Sequence, residues 1–221
     1  MTRAVAVLRP EPGNAATAAR VEAAGLAAIR LPLFETHALD WTAPDPRAFD
    51  ALVLTSANAP RLAGPGLEAL KGLPVFAVGP ATAAAAEARG LSVDGTGDGD
   101  GADLAATLAA RGFSRALLLA GRERRLQVGG VIAAAVAVYA SDPLPIDTAV
   151  IEELAGAVAL LHSARAAERL GELAAHRRAT IRLATISRAV AEAAGPGWAR
   201  VAAASAPDDD ALVALARRLA D

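Results

Sequence analysis

The chain has 221 residues, a formal net charge of −2 and no cysteine. The lack of cysteine excludes disulfides, a catalytic thiol and cysteine-ligated metals, and the small net charge gives no overall attraction for nucleic acid or acidic lipid. No segment resembles a signal peptide, and no apolar run reaches the roughly 18 residues that a membrane span needs. We therefore expect a cytoplasmic protein.

Short β-type runs alternate with alanine-rich helical stretches, which predicts parallel strands joined by crossover helices. In chain order the predicted strands lie near residues 4–8, 27–31, 51–55, 74–78, 115–120, 136–139, 157–161, 182–186 and 200–202. A last helix is expected from the acidic start at 208–210 to about Leu219. The proline-bearing stretches 32–46 and 140–147 are expected to be extended connectors, and the Gly/Asp-rich stretch 94–103 a mobile loop.

Three pairs of segments recur in the same order, which indicates an internal duplication. Residues 50–59 match 156–166, and residues 76–80 match 183–188, each as a buried strand followed by a turn and a helix. Residues 7–10 and the helix after them match 118–122, with an expected helix and a strand ending at Tyr139. The prediction is an α/β protein of two similar domains.

Ligands of open parallel sheets bind beyond the carboxyl ends of the strands, so the strand-to-helix turns carry the functional information. Five of the six main turns contain arginine, which pairs well with carboxylates. These residues are Arg9, Arg61, Arg122 with Arg124 and Arg125, Arg165, and Arg188. A composition biased toward alanine and arginine would also place solvated arginines in turns, but the positional pattern favours a polycarboxylate ligand.

The same turns offer further polar groups. Backbone amides at Gly79 and the hydroxyls of Thr82, Thr55, Ser56, Ser163 and Ser187 could bind carboxylates, although serine and threonine are also favoured as helix N-caps. Tyr139, the only tyrosine, ends a predicted strand. It could act as a general acid or serve as an amphipathic residue at a domain edge.

No cofactor is expected. The Gly-rich stretch 95–101 has no Walker lysine after it, and Asp98, Asp100 and Asp103 lack the distal glutamate of a calcium loop. The three histidines show no metal-ligand spacing.

Several short motifs together resemble the uroporphyrinogen-III synthase family across essentially the whole chain: Leu8-Arg9-Pro10-Glu11, residues 54–59 and 77–82, Val138-Tyr139, His162-Ser163 and Ile186-Ser187. The resemblance implies two α/β domains with parallel sheets flanked by helices, joined by a two-stranded linker. One domain would combine residues 1–34 with 148–221 and the other would be 38–139, with linkers at about 35–37 and 140–147. Arg9 would then share a domain with Arg165 and Arg188, and Arg61 with Arg122.

The resemblance also implies a reaction without a cofactor. The substrate would be hydroxymethylbilane, a linear tetrapyrrole octacarboxylate, which is cyclised with inversion of ring D and loss of water. Tyr139 matches the family tyrosine considered as the acid, and the turns would bind the acetate and propionate arms. A monomer is expected.

Leu8, His162 and Val190 stand where the family often has threonine. These departures put the catalytic role of any single threonine in doubt but do not argue against activity. A second interpretation, a non-catalytic tetrapyrrole-binding or regulatory domain of the same fold, would share the arginines and stays open. A two-domain small-ligand receptor resembling periplasmic binding proteins is disfavoured by the lack of a signal peptide.

Overall fold

A computed structural model of the chain describes residues 2–97 and 99–221. The chain divides into two compact units: unit 1 comprises Met1–Glu35 with Asp142–Asp221, and unit 2 comprises Thr36–Ser141. Strands and helices are numbered along the whole chain. None of the helices within the described residues is long and apolar enough to cross a bilayer.

Unit 1 contains a parallel five-stranded sheet in the order β11-β10-β9-β1-β2. Its strands are β1 (Val5–Val7), β2 (Ala28–Arg30), β9 (Val158–Leu161), β10 (Arg182–Thr185) and β11 (Arg200–Ala203). Its helices are α1 (Gly13–Ala23), α5 (Thr148–Glu152), α6 (Ala164–Leu173), α7 (Arg188–Ala193) and α8 (Asp209–Ala220).

The central strands of unit 1 are apolar throughout because both faces of the sheet are covered. Every residue of β1 and β9 is buried, as expected for a parallel sheet between helices. Alternate side chains face the two cores, so that Ala6 packs with Leu170 on one face and Val5 with Leu212 on the other. Helix α8 covers the second face with a stripe of Leu212, Leu215 and Leu219.

Unit 2 contains a six-stranded sheet in the order β3-β8-β7-β4-β5-β6. Its strands are β3 (Phe34–Ala38), β4 (Ala51–Leu54), β5 (Val75–Ala77), β6 (Val93–Thr96), β7 (Ala116–Gly121) and β8 (Ile132–Pro143). Its helices are α2 (Asn58–Leu62), α3 (Pro80–Glu87) and α4 (Gly101–Ala110), with 3-10 turns at Pro46–Ala48 and Gly64–Leu70. Strands β4 to β8 pair in parallel.

The strand order confirms the duplication predicted from the sequence. The strand order β6-β5-β4-β7-β8 in unit 2 corresponds to the order β11-β10-β9-β1-β2 in unit 1. In this correspondence β4 is equivalent to β9, β5 to β10 and β7 to β1. These are the pairs of segments matched in the sequence. The N-terminal β1-α1-β2 segment therefore completes a sheet whose other strands come from the C-terminal half.

Both predicted connectors contain regular strands. Stretch 32–46 includes β3, while β8 begins at Ile132 and runs through 140–143, well beyond the four residues predicted there. Leu39 donates to the Val138 carbonyl over 3.0 Å and Leu144 to the Leu33 carbonyl over 3.0 Å, so the two strands run antiparallel. The two passages of the chain between the units fall inside these paired strands.

The predicted mobile loop at 94–103 is wrong over most of its length. Residues 93–96 form β6, and α4 begins at Gly101 behind a capping box of Asp100 and Asp103. Asp98 lies outside the described residues. The composition of Gly and Asp does not decide between loop and helix start, because aspartate is favoured at helix N-caps as well as in turns.

The helix expected after Arg122 does not form. Residues 122–131 connect β7 to β8 without a helix, through turns, bends and an isolated bridge between Gly129 and Ile132. The polar sequence at 122–125 has no apolar residues at helical spacing, and Gly129 and Gly130 have φ of 144° and 54°, which ends any helix early.

Candidate functional site

Unit 2 has a cavity of about 500 Å³ at the carboxyl ends of its central strands. Thr55 and Ser56 follow β4, Val78 follows β5, and Ala120 and Gly121 end β7. Tyr139 of β8 completes this side. The unit 2 cavity therefore lies where open parallel sheets bind their ligands.

Tyr139 is held against the end of β7. Gly121 is its partner across the sheet, and the backbone N–H of Arg122 donates to the Tyr139 carbonyl over 2.8 Å. A Cβ built on Gly121 would lie 2.8 Å from Tyr139 Cζ, so only glycine leaves room for the ring. The phenol is partly buried, and its oxygen forms no hydrogen bond with any described residue. It is available to a ligand.

The hydroxyl residues after β4 differ in their local role. Ser56 Oγ accepts from the Asn58 N–H over 3.2 Å and so stabilises the turn into α2. Thr55 packs its methyl group beside Gly101, where a Cβ would come within 3.3 Å of Thr55 Cγ2. Thr55 therefore borders both the cavity and the start of α4.

The other predicted residues of unit 2 do not line the cavity. Arg61 is exposed on α2, Gly79 is the extended residue before α3, and Thr82 is buried within α3. Arg122 Nε donates to Glu123 Oε1 over 2.9 Å. Their predicted role in substrate binding stays a prediction.

The cationic side chains that do line the cavity are Arg124 and Arg125. Arg124 is partly buried, and its Nε is buried without a hydrogen-bond partner among the described residues. The sequence places both arginines in the same turn as Arg122. Which guanidinium faces the cavity depends on the conformation of this turn, and the helix predicted there does not form.

Three cavity residues, Asp100, Gly101 and Ala102, come from the start of α4 and were missed from the sequence. Asp100 Oδ1 accepts from the N–H groups of Ala102 over 2.7 Å and Asp103 over 3.1 Å. The signal was present as an aspartate three residues before a second aspartate, followed by Leu104 and Leu108 at helical spacing.

In unit 1, one carboxylate gathers the polar side chains at the ends of β1 and β9. Asp209, the first residue of α8, lies 3.0 Å from His162 Nε2, 3.1 Å from Arg9 Nη1 and 2.7 Å from Thr17 Oγ1. Arg20 Nη1 is 3.4 Å away. We call these five residues the Asp209 cluster.

The hydrogen bond from His162 is the largest effect that lowers the pKa of the Asp209 carboxyl well below its usual range. Burial opposes this, whereas Thr17 and the charge of Arg9 add to it. Because an ionised carboxylate only accepts, Nε2 of His162 carries the proton. The cluster shows that Arg9, predicted to bind substrate, already binds a carboxylate of its own chain.

The remaining predicted residues of unit 1 lie at helix starts. Ser163 Oγ accepts from the Ala166 N–H over 3.2 Å and Ser187 Oγ from the Val190 N–H over 3.4 Å, so both are N-caps. The guanidinium carbon of Arg165 lies 4.4 Å from the ring centroid of Phe34. Arg188 is exposed.

Within residues 2–97 and 99–221, no group of three or more histidine, aspartate and glutamate side chains is arranged to hold a metal ion. The polar side chains that line the unit 2 cavity include hydroxyls, two guanidiniums and the carboxylates of Asp100 and Glu123.

Comparison with known proteins decides the family. Residues 15–214 match the family model described as Uroporphyrinogen-III synthase HemD. This chain belongs to the uroporphyrinogen-III synthase family. The resemblance inferred from its motifs is thereby confirmed. No curated protein matches the chain in sequence.

Two solved structures share the fold across nearly the whole chain. Uroporphyrinogen-III synthetase from Helicobacter pylori is 18% identical with a TM-score of 0.64, covering 98% of this chain and 99% of that one. A mutant uroporphyrinogen III synthase from the extremely thermophilic bacterium Thermus thermophilus is 18% identical with a TM-score of 0.58, covering 98% of each chain. At this identity the likeness shows the α/β fold of the family.

Proposed function

We propose that this member of the uroporphyrinogen-III synthase family is an active synthase, which cyclises hydroxymethylbilane with inversion of ring D and loss of water. The family match over residues 15–214 carries the proposal. The unit 2 cavity supports it, because Tyr139 and two arginines without ion-pair partners among the described residues line one space at the carboxyl ends of the strands.

Tyr139 is proposed as the general acid. Its phenol would give a proton to the departing hydroxyl, which leaves as water and converts the terminal ring into a protonated azafulvene. Ring D would then attack through its substituted carbon to form a spiro intermediate. Rearrangement would close the macrocycle, and the proton that ring D loses in this step would return to the phenolate. The protein assists by holding the reactants in position and by stabilising the charge that develops.

The predicted turn residues are proposed to bind the carboxylate arms. In unit 2 these are Thr55, Ser56, Arg61, Gly79, Thr82 and Arg122, and in unit 1 they are Arg9, Ser163, Arg165, Ser187 and Arg188. Ser163 and Ser187 would act by fixing helix starts whose amides face the ligand. Arg9 would contribute only those guanidinium N–H groups that Asp209 leaves unoccupied.

We further propose that the chain works in the cytoplasm as a monomer, without a cofactor and without a nucleic-acid or membrane partner. Its domains would be residues 1–34 with 148–221, and 38–139.

The test is incubation of the purified protein with freshly made hydroxymethylbilane, followed by separation of the type I and type III isomers of the product. Formation of the type III isomer well above the spontaneous reaction is expected. Type I product alone, at the spontaneous rate, would contradict the synthase proposal and leave the non-catalytic tetrapyrrole-binding domain as the better interpretation.

A further inference from the structure

Arg124 carries a positive charge that is not paired with any described residue. Its side chain is partly buried, its Nε is buried, and the guanidinium forms no hydrogen bond or ion pair with any described residue. Arg122, two positions earlier, is by contrast exposed and bonded to Glu123. Withdrawing part of a charged group from water without a partner is unfavourable, so an anion that pairs with Arg124 would offset this cost.

The carboxylate of Asp100, which also lines the cavity, does not supply that anion. One of its oxygens is bonded to two N–H groups at the start of α4. The side chain of Asp103 in turn accepts from the Asp100 N–H over 3.1 Å, so the helix start is satisfied by its own residues. The start of α4 therefore leaves the cavity arginines to meet an incoming carboxylate, and of these Arg124 is partly buried whereas Arg125 is exposed to water.

The size of the cavity limits what can enter. About 500 Å³ corresponds to about 17 water molecules at about 30 Å³ each. A pyrrole ring with one acetate, one propionate and one hydroxymethyl group has about 16 non-hydrogen atoms, about as many as these waters, whereas the whole linear tetrapyrrole has about 60. The cavity is therefore comparable in size with one ring and too small to enclose the whole tetrapyrrole.

We propose that the unit 2 cavity is a subsite for a single pyrrole ring of the tetrapyrrole, with Arg124 binding one carboxylate arm beside Tyr139. The inference rests on the proposed function and narrows it: within the unit 2 cavity the carboxylate anchor is Arg124, whereas Arg122 does not line this cavity and could bind an arm only outside it. With the arm paired to Arg124, the ring lies in the space that Tyr139 borders, which positions its substituents near the phenol.

The test is a binding titration with a monopyrrole that carries one acetate and one propionate arm. Tyr139 is the only tyrosine, so a protein made with ¹³C-labelled tyrosine gives ring signals from the cavity alone. We expect the monopyrrole to shift these signals saturably in the wild type. Arg124→Gln should weaken binding of the monopyrrole about tenfold or more, because a hydrogen bond to a charged group is lost. The affinity of Arg124→Lys should lie between those of the wild type and Arg124→Gln.

Arg47→Gln is the matched control. Arg47 lies in the same unit, its side chain is 89% exposed, and it pairs with Asp45 outside the cavity. Its affinity for the monopyrrole should equal that of the wild type. The ligand-free tyrosine signals and the thermal midpoint check that each variant is folded.

Absence of a saturable shift in the wild type, or equal affinity in a folded Arg124→Gln variant, would overturn the subsite. Either result together with type III product would leave the synthase proposal standing. Conversely, the protein could bind the monopyrrole in a way that depends on Arg124 and yet make no type III isomer. This result would support the subsite and contradict only the proposed synthase activity.

Discussion

The Asp209 cluster makes a quantitative prediction about the stability of unit 1. Replacing Asp209 by asparagine keeps the shape of the side chain but removes its charge and turns one acceptor oxygen into a donor. That donor would face N–H groups of Arg9 or His162, or the hydroxyl of Thr17. We expect the variant to fold but to be less stable.

The magnitude follows from the partners. Breaking a fully buried ion pair costs about 3 to 5 kcal/mol. Arg9 and Arg20 are 34% and 50% exposed, so their share is screened by water, whereas His162 is 10% exposed and Asp209 is 16% exposed. We therefore expect Asp209→Asn to lower the free energy of unfolding by about 2 to 3 kcal/mol at neutral pH.

The effect should depend on pH in a defined direction. Because the pKa of Asp209 is lowered in the folded chain, its contribution is fully present above the unfolded-state pKa of about 3.9 and is lost as the pH falls below it. The difference between wild type and variant should shrink by about 1.4 kcal/mol per pH unit below about 3.9.

Urea unfolding followed by tryptophan fluorescence measures this. The chain has two tryptophans, so both proteins carry Trp41→Phe, which leaves the signal to Trp198 in the core of unit 1. Asp210→Asn is the control, because Asp210 is also in the first turn of α8 but its side chain is 90% exposed. If Asp209→Asn is no more destabilising than Asp210→Asn, or if its effect is the same at pH 7 and pH 3, the reasoning is refuted.

Three further predictions concern the cavity. Tyr139→Phe should slow turnover about 100-fold or more with an unchanged unfolding midpoint, and unchanged turnover would exclude Tyr139 as the acid. Gly121→Ala should displace the Tyr139 ring, because its Cβ would lie 2.8 Å from Tyr139 Cζ; unmoved tyrosine signals in the NMR spectrum would argue against this packing. Asp100→Ala should lower the free energy of unfolding by about 1 kcal/mol, whereas Asp100→Asn retains an N-cap and should change it little; equal losses in urea unfolding would show that capping is not what Asp100 provides.

The central strands could be predicted because they are buried on both faces. Residues 51–54 and 158–161 are continuous apolar runs bounded by turn residues, and all of them are buried in the sheets. Such strands can be recognised from the local sequence alone, because a parallel strand between two helix layers has no polar face and is therefore a continuous apolar run. For the same reason the duplication could be recognised before the sheet order was known.

The stretches around the cavity could not be predicted in the same way. At 94–103 and 122–131, polar and glycine residues suit several conformations. Helix α4 begins in the first stretch, where a loop was expected, and no helix forms in the second, where one was expected. Capping by Asp100 and the positive φ of Gly129 and Gly130 decided between them. The identity of the cavity arginines depended on this outcome.

By itself, the sequence determined the α/β class, the duplication, the family and the turns in which polar groups gather, because each depends on local pattern and on order along the chain. Only the tertiary structure decided which of these groups is free to bind. Arg9 meets Asp209 from 200 positions away, while Arg124 enters the cavity without a partner among the described residues. The reason is physical: whether a charge is compensated depends on its neighbours within a few ångströms in space, and sequence patterns do not specify those neighbours.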